Sequence, residues 1–74
     1  MGILSINARN QFQGTVVRIK RGDVVSEVEV DIGKGTITSV VTTSSVAELG
    51  LHVGSNVIAL FKSTEVALAT YVPV

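Results

Sequence analysis

The chain has 74 residues, with no cysteine, one histidine, and six basic against six acidic side chains for a formal net charge of zero. Zero net charge withholds the long-range field on which phosphate-backbone binders rely, and the missing cysteines together with a lone His52 exclude disulfides and a structural metal as supports. A domain of this size hides only about 60% of the surface its unfolded chain exposes, while 46% of the residues are hydrophobic and only 4% aromatic, so self-association is the expected destination of the aliphatic surface.

In chain order, "FQGTVVRIK" (residues 12–20) is rich in β-branched residues and ends at the polar cluster Arg21-Gly22-Asp23, a strand followed by a turn. "VVSEVEVDI" (24–32) alternates, with Val24, Ser26, Val28, Val30 and Ile32 on one face and Val25, Glu27, Glu29 and Asp31 on the other, as a strand with one wet face does. Gly33-Lys34-Gly35 forms the next turn, and "TITSVVTT" (36–43) is a third strand. Ser45 followed by Glu48 has the spacing of a capping box, and Gly50 stands where a helix of about two turns would end in a left-handed residue. "HVGSN" is a turn, "VIALFK" (57–62) a fourth strand, "STE" a tight connection, and "VALATYV" (66–72) a fifth strand closed by Pro73. Five strands with one short helix between the third and fourth give an all-β chain and the element order of an OB-like barrel, a single domain over 1–74; a small open sandwich is the alternative.

Enzymatic machinery is missing from this pattern, and no enzyme is expected. There is no Cys nucleophile, no His with a nearby Asp and no metal-ligand cluster, and alternation alone places Glu27, Glu29 and Asp31 on a solvated face. Gly33-Lys34-Gly35 lacks the Gly-Lys-Ser/Thr and helix of a phosphate loop, and His52 is expected at the surface. No apolar run approaches the roughly 18 residues of a membrane span. "MGILSINARN" has neither a basic start nor a long apolar middle, and Ile6 occupies the position where a myristoylation signal has Ser or Thr. No membrane partner is expected, and the cytoplasm is the expected compartment.

What the sequence offers instead is a set of donors suited to an anion. Thr42, Thr43, Ser44 and Ser45 surround the start of the helix, and Arg9, Lys62 and Ser63 flank strands without acidic neighbours in sequence. Each has a plain structural use as a cap, a strand former or a surface charge, and composition does not say that they converge.

The stretches "NARNQFQGTVVRIKRG" and "VTTSSVAELGLHVGSNVIALFKSTEV" resemble the molbindins, small Mop-type domains of the TOBE group that bind molybdate and tungstate. The resemblance spans about residues 7–70 and rests on the Ser-Ala-Arg-Asn-Gln opening and the Thr-x-x-Ser, Leu-Gly-Leu-x-x-Gly and Leu-x-Lys-[Ser/Ala] signatures. It implies an OB-like barrel assembled as a homo-hexamer, a trimer of dimers, with oxyanion sites between subunits. Carried over by position, the oxyanion-binding residues are Asn7, Ala8 through its backbone N–H, Arg9, Thr42, Ser45, Lys62 and Ser63, with the metal held as its oxyanion and not ligated by side chains. Asn7 departs from the family's serine. The implied role is a cytoplasmic store or buffer of molybdate or tungstate. A nucleic-acid-binding OB module is disfavoured by zero net charge and by having only Phe12, Phe61 and Tyr71 to stack on bases. A regulatory or transporter-accessory oxyanion-sensing domain would carry the same motifs, but no DNA-reading helix or nucleotide motif accompanies them here.

Overall fold

A computed structural model describes residues 7–72; Met1 to Ile6, with the opening segment considered above, and Pro73, expected to close a strand, lie outside the described residues. Four strands, β1 (Asn10–Arg21), β2 (Val25–Asp31), β3 (Thr36–Thr42) and β4 (Asn56–Phe61), form one antiparallel sheet in the order β3-β2-β1-β4. A single α-helix, α1 (Thr43–Glu48), lies between β3 and β4, and a 3-10 turn covers Ser63–Glu65.

β1 organises the sheet because its two halves pair with different partners. From Asn10↔Phe61 to Thr15↔Asn56 it pairs with β4, and from Thr15↔Asp31 to Arg21↔Ser26 it pairs with β2. Where the partners change, the chain must approach closely. A Cβ on Gly14 would stand 2.6 Å from both the Asp31 carbonyl oxygen and Val30 Cγ1, so only glycine admits this crossing. A register shift between Val16 and Arg18 adds a bulge and with it extra twist.

The alternation of β2 holds in three dimensions: Ser26, Val28 and Val30 are buried while Glu27 and Asp31 are exposed. Val24 is exposed, since the strand begins one residue later. Val16, Val28, Val30 and Val46 form the core, flanked by half-buried Ile19, Ile32, Val41, Leu51 and Val57. Val46 comes from α1, so the short helix plugs one end of the curled sheet. Burying such a side chain stabilises by about 1.5–3 kcal/mol, more than a six-residue helix gains from propensity.

Two expectations are corrected. The all-β class with one helix between the third and fourth strands holds, but the sheet has four strands and remains open. Residues 66–72 form no strand; they run outside the sheet with Leu68, Tyr71 and Val72 largely exposed. The 3-10 turn at Ser63–Glu65 leads the segment off the sheet, so its strand propensity is not satisfied by either free edge of the same chain. The helix is also capped one turn earlier than the Ser45 capping box implied. Thr42 is the N-cap, with extended backbone, and its Oγ1 accepts from the Ser45 N–H at 3.1 Å. Seating Val46 in the core requires Ser45 to be already inside the helix, which moves the cap back to Thr42.

The C-terminus of α1 behaves as its glycine implies. Gly50 has φ +63°, its N–H donates to the Ala47 carbonyl, and the Leu51 N–H donates to the Val46 carbonyl. These are the paired bonds of a Schellman termination, with Leu51 returning to pack on the same core as Val46.

Replacing Gly14 by Ala is expected to destabilise the fold by about 1–3 kcal/mol, because the added methyl meets backbone as well as a core valine. Urea denaturation at fixed protein concentration measures this, and an unchanged midpoint would show that the crossing can widen without cost.

Candidate functional site

The ladder sorts the candidate residues into two groups. The first stands where β1 begins and β4 ends. Asn10 pairs with Phe61, so Ala8 and Arg9, which precede β1, and Lys62 and Ser63, which follow β4, flank the same end of the sheet. The rings of Phe12 and Phe61 stack with centroids 5.9 Å apart, fastening the strands diagonally at that end.

Each member of this group is held by local bonds. Gln11 Nε2 donates to the Ala8 carbonyl at 3.0 Å, folding the opening segment back on β1. Ala8 is buried, and among the described residues its N–H has no hydrogen-bond partner. The Lys62 N–H donates to Glu65 Oε1 at 2.8 Å and the Glu65 N–H returns to the Lys62 carbonyl at 2.9 Å, which fixes the backbone under the lysine and leads into Ser63. Asn7, Arg9, Lys62 and Ser63 are exposed. Arg18 and Glu29 make the one ion pair found among the described residues, at 3.6 Å, so neither Arg9 nor Lys62 is paired with a carboxylate there.

The second group is built from hydroxyls where β3 runs into α1. Thr42 Oγ1 lies 2.6 Å from Ser45 Oγ and accepts from Ser44 Oγ at 3.2 Å as well as from the Ser45 N–H. With both lone pairs of Thr42 Oγ1 occupied, its one hydrogen goes to Ser45 Oγ, and the Ser45 hydroxyl hydrogen is left to point outward as a donor.

This knot is tied to the rest of the fold through Thr43, already among the hydroxyls gathered from the sequence, and through Ser26, to which the sequence alone assigns no role. Thr43 Oγ1 donates to the Gly22 carbonyl at 2.7 Å and lies 2.8 Å from Ser26 Oγ, which is 2% exposed. The Thr43 N–H donates to the Val24 carbonyl at 2.8 Å. The helix start is thus bonded to the β1–β2 turn. The available signal was Ser26 itself, a hydroxyl on the apolar face of β2 that needs a partner when buried.

The two groups do not meet along the ladder. Thr42 pairs with Val25, next to the Arg21 end of β1, whereas Arg9 and Lys62 flank the Asn10 end. The length of β1, roughly 35 Å for a strand of this size, separates them in register.

The remaining candidates have structural uses. Asp31 accepts from the Gly33 N–H at 2.7 Å in a turn where Gly33 has φ +100°, and Glu29 holds Arg18. His52 is exposed, its N–H donating to Ser55 Oγ at 2.9 Å. Among the described residues no group of three His, Cys, Asp or Glu side chains could hold a metal ion, and no helix is long and apolar enough to cross a membrane. Phe12 and Phe61 spend a face on each other and so offer less to a nucleobase.

Comparison with known proteins matches residues 6–68 to the TOBE domain. The molybdenum-pterin-binding protein 2 of Clostridium pasteurianum is 46% identical over 66 residues, covering 88% of this chain and 97% of that protein. Among solved structures, a molybdate-binding protein from Sporomusa ovata superposes with a TM-score of 0.85 at 33% identity, over 90% of this chain and all of that one. The cytoplasmic molybdate-binding protein ModG, solved with molybdate bound, gives a TM-score of 0.76 at 43% identity over 80% of this chain and 43% of its own.

Thr42→Ala is expected to remove the cap and destabilise the chain by about 1 kcal/mol, while Thr42→Ser retains most of that stability. Thermal denaturation of the two variants side by side checks this; equal losses would assign the effect to the threonine methyl.

Proposed function

The chain belongs to the TOBE domain family, and from that membership and the donor geometry we propose that it binds molybdate or tungstate as intact oxyanions, at sites shared between subunits of a homo-oligomer. The carrying observation is the Asn10↔Phe61 pairing, which sets Ala8, Arg9, Lys62 and Ser63 at one end of the sheet with two cations that no described carboxylate neutralises. Proteins that match over most of this chain carry molybdenum-pterin-binding and molybdate-binding names, which supports the ligand class.

The chemistry is binding without turnover. A tetrahedral dianion takes charge-assisted bonds from Arg9 and Lys62 and neutral ones from the Ala8 N–H, the amide of Asn7, and the hydroxyls of Thr42, Ser45 and Ser63. Bonds to charged groups contribute about 1.5–3 kcal/mol each. A cage made wholly of donors disfavours an oxyanion that retains a hydrogen, which acts against phosphate near neutral pH. Discrimination against sulfate falls to cage size. Because Arg9 and Lys62 lie at one end of β1 and Thr42 and Ser45 at the other, a site using both groups draws them from different copies, in keeping with a hexamer built as a trimer of dimers. The role that follows is storage and buffering of the oxyanion in the cytoplasm.

Calorimetric titration with molybdate, tungstate, sulfate and phosphate tests the ligand class: the first two should give saturable heat and raise the melting temperature, and the absence of both effects would defeat the proposal. Arg9→Ala should weaken oxyanion binding roughly tenfold to a hundredfold with no change of oligomeric mass; loss of the oligomer would instead make Arg9 an assembly residue. Oligomers refolded from a mixture of Arg9→Ala and Ser45→Ala chains should recover a fraction of full-affinity sites, since some sites then combine the intact residue of each. Failure to recover any would place both residues in a site from one chain.

A further inference from the structure

Where Ala8, Arg9, Lys62 and Ser63 flank the sheet, backbone carbonyls stand among the donors, and a carbonyl oxygen carries partial negative charge and can only accept. Two of these carbonyls are occupied from within the chain. Gln11 Nε2 donates to the Ala8 carbonyl at 3.0 Å, and the Glu65 N–H donates to the Lys62 carbonyl at 2.9 Å. The N–H of buried Ala8 has no partner among the described residues. Acceptors are covered there while a donor is left open.

The two carbonyls are covered by different means. That of Lys62 is taken by the backbone of the 3-10 turn that follows it. β1 begins only at Asn10, so Ala8 lies outside the ladder and its carbonyl depends on one side chain. Among the described residues, Asn7, Ala8 and Arg9 make no other hydrogen bond. Because the carbonyl only accepts, Gln11 must turn its amide nitrogen toward it, which fixes the amide's orientation. A trans peptide points the Ala8 carbonyl and the Arg9 N–H in opposite directions, so drawing the carbonyl onto Gln11 turns that N–H to the other side. Gln11 is exposed and pairs with Leu60, so nothing in the core calls for an amide at this position. Gln13, two residues along the same face and also exposed, makes no side-chain hydrogen bond among the described residues.

We propose, on the oxyanion reading given above, that Gln11 is a positioning residue that sets anion specificity: it withdraws the Ala8 carbonyl, so that the opening segment presents its N–H and no acceptor. A fully deprotonated tetrahedral oxyanion gains from this, because a repelling oxygen is removed. An oxyanion that keeps a hydrogen loses a backbone oxygen that could take it. Gln11 itself does not touch the anion.

Gln11→Met keeps the length of the side chain and removes the donor. Calorimetric titration of the full chain with molybdate, and displacement of bound molybdate by sulfate and by phosphate near neutral pH, read the effect. Molybdate binding is expected to weaken about threefold to tenfold, the range of one neutral hydrogen bond. Sulfate, which carries no hydrogen, should weaken in proportion, while phosphate gains about threefold or more relative to both. Gln13→Met should change none of the three. Equal weakening of all three anions by Gln11→Met, or no change in any, overturns the specificity role. A native chain that binds no molybdate is a separate outcome, which defeats the oxyanion reading and this proposal with it. In the 15N-labelled native chain, molybdate should shift the Ala8 backbone amide and leave the Gln11 side-chain amide nearly in place. A Gln11 shift as large as that of Ala8 makes it a direct ligand and overturns the positioning role, and this measurement decides if the variant fails to fold.

Discussion

The divided pairing of β1 is the constraint on which the molecule depends. Its twelve residues are divided between two antiparallel partners, the first half paired with β4 and the second with β2. Gly14 permits the backbones to pass at the changeover, and the bulge that follows turns the second half over the valine core. From this one division come the curl of the sheet, the depth of the core beneath it and the separation of the two donor groups.

The hydroxyls near the helix do two jobs that are easily confused. Thr43 and Ser26 are inward, joining the helix start to the β1–β2 turn with both atoms mutually satisfied. Thr42, Ser44 and Ser45 form the outward layer, bonded among themselves around the cap. The inner pair is what makes the outer layer rigid. A six-residue helix would otherwise fray, and its fixed position comes from Val46 below, the Schellman bonds behind and the Gly22 and Val24 carbonyls in front.

Much of this was visible in the sequence, because period-two alternation and turn glycines are local signals. The alternation of residues 25–31 marks a half-buried strand without reference to anything distant, and Gly50 announces the helix end in the same way. By spacing alone Thr42 reads as a strand residue and Ser45 as the cap, and only the seating of Val46 decides for Thr42. Residues 66–72 have strand composition, yet a strand exists only where an edge is available to pair with it, and availability is a property of the assembled sheet. The candidate residues could be gathered by chemistry, but their division between two ends of β1 follows from register, which no single stretch of sequence encodes.

The long-range closure of the sheet also orders its assembly in time. Arg21 and Ser26 meet across a turn of a few residues, while Asn10 and Phe61 meet only after about fifty residues have been laid down. A loop roughly ten times longer costs about 2 kcal/mol more to close, so the hydroxyl end of the molecule can form as a local meander before the cationic end exists. The β1–β4 ladder is therefore the seam whose closure costs the chain most entropy, and it joins the two segments farthest apart in sequence, so the cationic end of the sheet exists only once nearly the whole chain is in place.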